Sequence, residues 1–323
     1  MSTRPLNIRD AVIAGLAAVA GAVLAADLPF IGLPLAGAAL GWLAFRNGPV
    51  VSSAAAVVAT AITIPVLGSV VPVVFIGPAL LAVGPGSAWA LSRWSATRVI
   101  AVLTVVLVAA ALAFDATAAA TQGSSFVAVR ANEAKTLHEL VIKSGAQSGQ
   151  TDVETVGQLA DQLSQAWLML WPSMYLYVSG LAAVLSVPLV SRIGRSIGEP
   201  VSALPPLTEF DMSLHVVWPT IAGLALLAAS AYLRQPNGWM QATGLNLLLF
   251  VRPLLFFQGL GDFAALYRKA GVGRFSRSFG FAFLALSEFA VPSVSIVGLV
   301  DIFANLRKLP RGGTGAPAGA APA

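Results

Sequence analysis

Residues 99–114, VIAVLTVVLVAAALAF, run for sixteen positions without a charge, a glycine or a proline. A run of this kind offers no polar face to water. It reads as the heart of a helix lying in lipid, where ~20 apolar residues cross a ~30 Å hydrocarbon core. Working outward, further apolar stretches fall near 11–26, 29–45, 50–68, 70–91, 99–116, 166–190, 214–232, 239–266 and 279–303. Pro65, Pro72, Pro78, Pro188, Pro253 and Pro292 interrupt them, which membrane helices tolerate because neighbouring groups satisfy the freed backbone.

Composition agrees. Of 323 residues, 57% are hydrophobic and 10% charged, and the mean hydropathy is +0.81. Soluble domains carry ~25% charged residues, so an ordinary soluble enzyme and a disordered chain are both excluded. The net charge of +5 comes without the basic cluster that nucleic-acid binding requires. Cysteine is absent, which removes disulfides and thiolate metal sites. The two histidines, His138 and His215, have no paired spacing for a metal, and no Walker sequence appears. No catalytic constellation, cofactor or metal site is therefore expected.

Charge sorts by side. With the N-terminus in the cytoplasm, Arg4, Arg9, Arg46, Arg93, Arg98, Arg192, Arg195, Arg268, Lys269, Arg274 and Arg277 fall inside. Arg130, Lys135, Lys143 and Arg234 fall outside, an asymmetry that the positive-inside rule turns into an orientation. The first apolar stretch follows Arg4 and Arg9 and precedes Ala25-Ala26, as in a signal peptide, but in a polytopic chain it reads as a retained helix. The ninth stretch reads either as one kinked span or as a re-entrant hairpin around Pro292.

The expected fold is an all-α polytopic bundle of eight or nine transmembrane helices over residues 1–310. An extracytoplasmic amphipathic loop at 122–165 and a disordered Gly/Ala/Pro tail at 311–323 complete it. In the loop, Phe126, Val129, Leu137, Leu140 and Val141 predict one short helix, and Thr151 with Glu154 resembles a capping box opening a second. Residues 143–150 between them, KSGAQSGQ, read as a flexible turn. The loop is a lid over a pocket, a docking surface, or a solvated connection.

Ionisable groups at membrane depth mark candidate sites. Arg252 lies midway along the eighth span. Gln258 shares its helix one turn from Asp262, Asn246 lies nearer the outer end, and Glu288 is the expected partner of Arg252. Asn246, Arg252, Gln258 and Glu288 therefore form the candidate ligand-binding set, with an internal ion pair locking two helices as the alternative. Asp27 and Asp115 read as interfacial carboxylates near span ends, and Trp42, Trp94, Trp167 and Trp239 as interfacial anchors. Gly259-Leu260-Gly261-Asp262 with Pro78-Ala79-Leu80 matches elements of membrane aspartyl proteases. Such catalysis needs a second carboxylate facing Asp262, and the acids nearest upstream, Glu209 and Asp211, belong to a loop. Ala14, Ala18 and Ala22 repeat every four residues on the first span, a spacing that permits close helix approach.

Several stretches together carry a resemblance. These are Leu28-Pro29 through Arg46-Asn47-Gly48, Pro205-Pro206 with Phe210 and Trp218, Asn246, Gln258-Gly259-Leu260, Arg268-Lys269, Gly298 through Asp301, and Asn305-Leu306-Arg307. They resemble the YybS-like family of uncharacterised bacterial multi-pass membrane proteins, and Asp262 departs from that family's apolar residue. The resemblance implies a layout distantly similar to the substrate-binding (S) subunits of energy-coupling-factor transporters. It would make Ala14, Ala18 and Ala22 a surface for a second membrane subunit and 122–165 a lid. The expectation is thus a protein of the bacterial inner membrane whose direct partner is the lipid bilayer. It would be solute-binding or transporter-like, without its own ATPase, for a small molecule the sequence does not name. A membrane scaffold or assembly factor is the alternative, and the aspartyl protease a distant third.

Overall fold

The computed structural model describes residues 8–147, 153–234 and 238–309, and among these every regular element is helical. Thr151, the other half of the expected capping box, lies outside the described residues, as does the tail at 311–323. Among the described residues, eight helices are long and apolar enough to cross a membrane, or nine if one bent pair counts as a crossing. The chain divides into two compact units, one through Leu204 with a short piece at 239–242, the other from Pro205 onward without that piece.

The first unit is built around α2 (Pro29–Asn47), which packs against α1 (Ile8–Asp27), α3 (Pro49–Leu67) and α8 (Val153–Ser196). Small residues allow this. A Cβ added at Gly21 would lie 2.7 Å from the Ala36 nitrogen and the Gly32 oxygen, so the α1–α2 crossing is closed to any side chain there. Leu33, Leu40, Leu43 and Ala44 fill the interior on the other faces of α2. The fourth span joins α4 (Val73–Leu81) to α5 (Ser87–Leu91) through a π turn at Ala82–Gly86. Pro85, which has no N–H to give, falls in that turn, and Ser87 Oγ donates to the Ala82 carbonyl at 2.9 Å. α6 (Ala96–Thr121) completes the membrane part, its N-terminus capped by Ser95.

The outer loop departs from expectation. Its first helix, α7 (Phe126–Gln147), continues through Lys143–Gln147, where a turn was predicted. The second is no separate helix. At 44 residues, α8 is roughly 66 Å long at 1.5 Å per residue, about twice the hydrocarbon thickness. The sixth span and the polar segment before it are therefore one rod. Hydropathy registers only the apolar half of such a rod, which is why the sequence reading began it at 166. α7 lies along its polar half: Ser164 Oγ donates to the Ala134 carbonyl at 3.1 Å, and His138 Nε2 is 3.2 Å from Asp161.

The stripe of Ala14, Ala18 and Ala22 is 0–2% exposed inside this unit. It is spent on packing α1 within the bundle, so it presents no surface to a second subunit. The outward face of α1 carries Val12, Ile13 and Leu16 instead.

The second unit holds α9 (Val217–Tyr232), most of α10 (Trp239–Lys269), α11 (Arg274–Ala290) and α12 (Ser293–Ala304), preceded by 3₁₀ turns at Leu207–Glu209 and Leu214–Val216. α10 and α12 touch backbone to backbone. A Cβ at Gly259 would overlap the Val294 carbonyl, and one at Gly298 the Leu255 carbonyl. The ninth apolar stretch is α11 and α12, bent by 100° at Pro292.

Candidate functional site

The four polar residues singled out in the C-terminal third do not converge on one site. Arg252 Nε donates to Glu288 Oε1 at 3.3 Å, and its Nη2 also reaches the Glu288 carbonyl oxygen. The expected pair therefore exists, but Glu288 does more than neutralise. Its Oε2 accepts the N–H groups of Val294 at 3.0 Å and Ser295 at 3.3 Å, and its Oε1 accepts Ser295 Oγ at 2.5 Å. Those N–H groups belong to the first turn of α12, which has no intrahelical acceptor for them. Glu288, 8% exposed, thus caps α12 from the end of α11 while holding α10 through Arg252. Asn246 lies half-buried nearer the start of α10.

Gln258 belongs to a different cluster. Its Nε2 donates to Asp301 Oδ2 at 2.6 Å and to Asp211 Oδ1 at 3.1 Å, while its Oε1 accepts the Met212 N–H at 3.0 Å. Asp301 also accepts the Leu306 N–H at 2.6 Å and Arg307 Nη2 at 2.8 Å. The Arg307 guanidinium is the centre: Nε lies 2.8 Å from Asp262 Oδ1, and Nη1 donates to the Phe210 carbonyl at 2.6 Å. Of the residues quoted for the resemblance, Phe210, Gln258, Asp301, Leu306 and Arg307 therefore meet at one anchor. Asp262 does gain a second carboxylate nearby in Asp301, contrary to the sequence reading. One guanidinium, that of Arg307, pairs with both.

An opening suited to a ligand lies in the first unit. A cavity of about 250 Å³ lies where the end of α1, the start of α2, α4 and α6 meet α8. Its walls are apolar and aromatic, with Leu33, Phe75, Leu107, Phe114, Trp167, Trp171 and Tyr175 among them, and Asp115 and Arg130 supply the charges. Pockets for small molecules combine these features. Trp167, Trp171 and Tyr175 follow at i, i+4 and i+8 on α8, so one face of the rod presents all three. The Trp171 and Tyr175 rings meet edge to face at 5.8 Å.

Arg130 enters from α7. Its Nη2 is 3.0 Å from Asp115 and 2.8 Å from Glu133, and the residue is only 7% exposed. Trp167 Nε1 donates to Glu133 at 3.2 Å, which ties the wall of the cavity to the same network. Burial raises the Glu133 carboxyl above its ordinary range, against the opposing pull of the Arg130 charge and the Trp167 N–H; the Asp115 charge adds to the rise. Two buried polar atoms here lack a hydrogen-bond partner among the described residues, Arg130 Nε and Tyr175 Oη.

Asp115 is thus half of a buried ion pair rather than an interfacial carboxylate, and Trp167 lines a cavity rather than only anchoring a span. Sequence reasoning missed Arg130 because the loop that carries it closes back onto a span. The aromatic spacing on α8 was the available signal.

Comparison with known proteins gives one match. The model of a family described as "Predicted membrane protein (DUF2232)" covers residues 13–302. No curated protein and no solved structure matches the chain.

Proposed function

We propose that this chain, which belongs to the DUF2232 family of predicted membrane proteins, is a solute-binding or transporter-like membrane subunit that relies on a partner for any energy input. The observation that carries this reading is the aromatic cavity with a buried Arg130 at its edge. A buried cation with an unsatisfied donor is costly unless something completes its bonding, and an occupant of the cavity would do so. On this reading α7 is the cover of the site and α8 the rod that positions it. The protein performs no chemistry on the solute.

Orientation follows the charge asymmetry: the N-terminus in the cytoplasm, α7 outside, in the inner membrane of a bacterium. Reporter fusions after Val127, Ser202 and Pro310 test it, and an inside signal at Val127 contradicts it.

The scaffold reading draws on a specific observation as well. Arg252, Glu288 and Gln258 spend their bonding capacity on neighbouring helices. A thermal-stabilisation screen of purified protein against a metabolite library separates the two readings. A stabilising compound whose effect disappears in Ala111→Phe, which intrudes on the cavity, supports the solute site. Equal responses in both proteins favour the scaffold.

A further inference from the structure

Resting on the solute-site reading above, we infer that the cavity takes an uncharged, ring-bearing molecule whose hydrogen-bond acceptor meets Arg130 and Tyr175, rather than an organic anion or cation.

Charge decides the head group. One guanidinium, Arg130, faces two carboxylates, Asp115 at 3.0 Å and Glu133 at 2.8 Å. An anionic ligand would approach Arg130 only by adding a third negative charge beside the first two, in surroundings where water screens little. A cationic ligand would find both carboxylates already engaged. At the Tyr175 ring it would also meet the like charge of Arg130, whose guanidinium carbon lies 5.9 Å from that ring centre.

Two residues that line the cavity each hold a donor without an acceptor among the described residues. Arg130 Nε carries an N–H with no acceptor, and the Tyr175 hydroxyl is buried without a partner. A carbonyl or hydroxyl oxygen accepts from both without bringing a charge. The body of the ligand follows from the walls. Trp171, Phe114 and Leu107 leave room in about 250 Å³ for one ring system, single or fused. Flat rings pack edge to face or offset against such walls.

The experiment uses three probes with one ring and three heads: 2-naphthaleneacetamide, 2-naphthaleneacetate and 2-(2-naphthyl)ethylamine. Each is titrated calorimetrically into the purified full chain near pH 7.5. The amide is expected to bind at least about ten-fold more tightly than either charged probe, because each of those leaves a charge unpaired or crowded. That preference is expected to vanish in Tyr175→Phe, which keeps the ring, and in Arg130→Lys, which keeps the charge but loses Nε. Ala111→Phe is expected to abolish binding of all three.

Tighter binding of the acetate or the amine, or equal binding of the three, overturns the ligand class while Ala111→Phe sensitivity leaves the solute site standing. Absence of binding, or binding indifferent to Ala111→Phe, overturns the class and the site together.

Discussion

Replacing Arg307 by methionine keeps an unbranched apolar stem and removes the guanidinium with its charge. Around that position the structure places Asp301 at 2.8 Å, Asp262 at 2.8 Å from Nε, and the Phe210 carbonyl at 2.6 Å, with the Leu207 and Thr208 carbonyls at 3.4 Å. The side chains of Asp301 and Asp262 are 0% and 9% exposed, so neither can turn to water when the guanidinium goes. Hydrogen bonds to a charged group contribute about 1.5–3 kcal/mol each, but bonds that share one group do not add. Stranding the partners of a buried cation costs about 3–5 kcal/mol in total. For a chain of this size that corresponds to a fall in melting midpoint on the order of 10 °C. The assay is thermal unfolding of detergent-purified protein followed by tryptophan fluorescence. Arg307→Met combined with Asp262→Asn is expected to recover part of the loss, because it removes one of the stranded carboxylates. An unchanged midpoint in the single variant, or a double variant no better than the single, refutes the charge argument.

Three further outcomes follow from other contacts. Arg252→Met and Glu288→Gln should each lower the melting midpoint, Glu288→Gln the more because it also uncaps α12, and the pair should be less than additive; independent effects in a double-mutant cycle would contradict the interhelical lock. Gly298→Ala should reduce the yield of folded protein, since its Cβ overlaps the Leu255 carbonyl, and a variant as stable as the parent would disprove the close α10–α12 crossing. Acid should stabilise the network around Glu133. With the folded carboxyl raised above its ordinary 4.5, the folded state holds the proton more tightly than the unfolded one, so stability falls as pH rises from 4.5 through the raised value. Glu133→Gln is expected to flatten that part of a melting-midpoint profile, and an unaltered slope would show that Glu133 does not titrate there.

The spans were legible because a helix in lipid must be apolar on almost every face, and residues 99–114 satisfy that requirement by composition alone. The continuity of α8 was not. Its polar half obeys the statistics of a soluble helix, and nothing at residues 153–166 announces that the same rod goes on into the membrane. The Arg252–Glu288 pair was legible because two opposite charges at membrane depth have few alternatives to each other. The Asp211–Gln258–Asp262–Asp301–Arg307 anchor was visible only as short, separated motifs, since its members lie as far apart as 96 positions in the chain and meet only through folding. Asp115 was set aside because a carboxylate near a span end ordinarily reaches water. What altered its role was Arg130, fifteen residues later on α7, folded back over it. Both charges are unremarkable in sequence, and their burial together beside the Trp167–Trp171–Tyr175 face is a tertiary fact.

The central claim is that this cavity holds a solute. Its most direct test is to purify the full chain and its Ala111→Phe variant in parallel and compare by mass spectrometry what small molecules each releases on denaturation. The account predicts a neutral, ring-bearing compound released in near-stoichiometric amount by the parent and missing from the variant. Identical small-molecule profiles from the two proteins would contradict it.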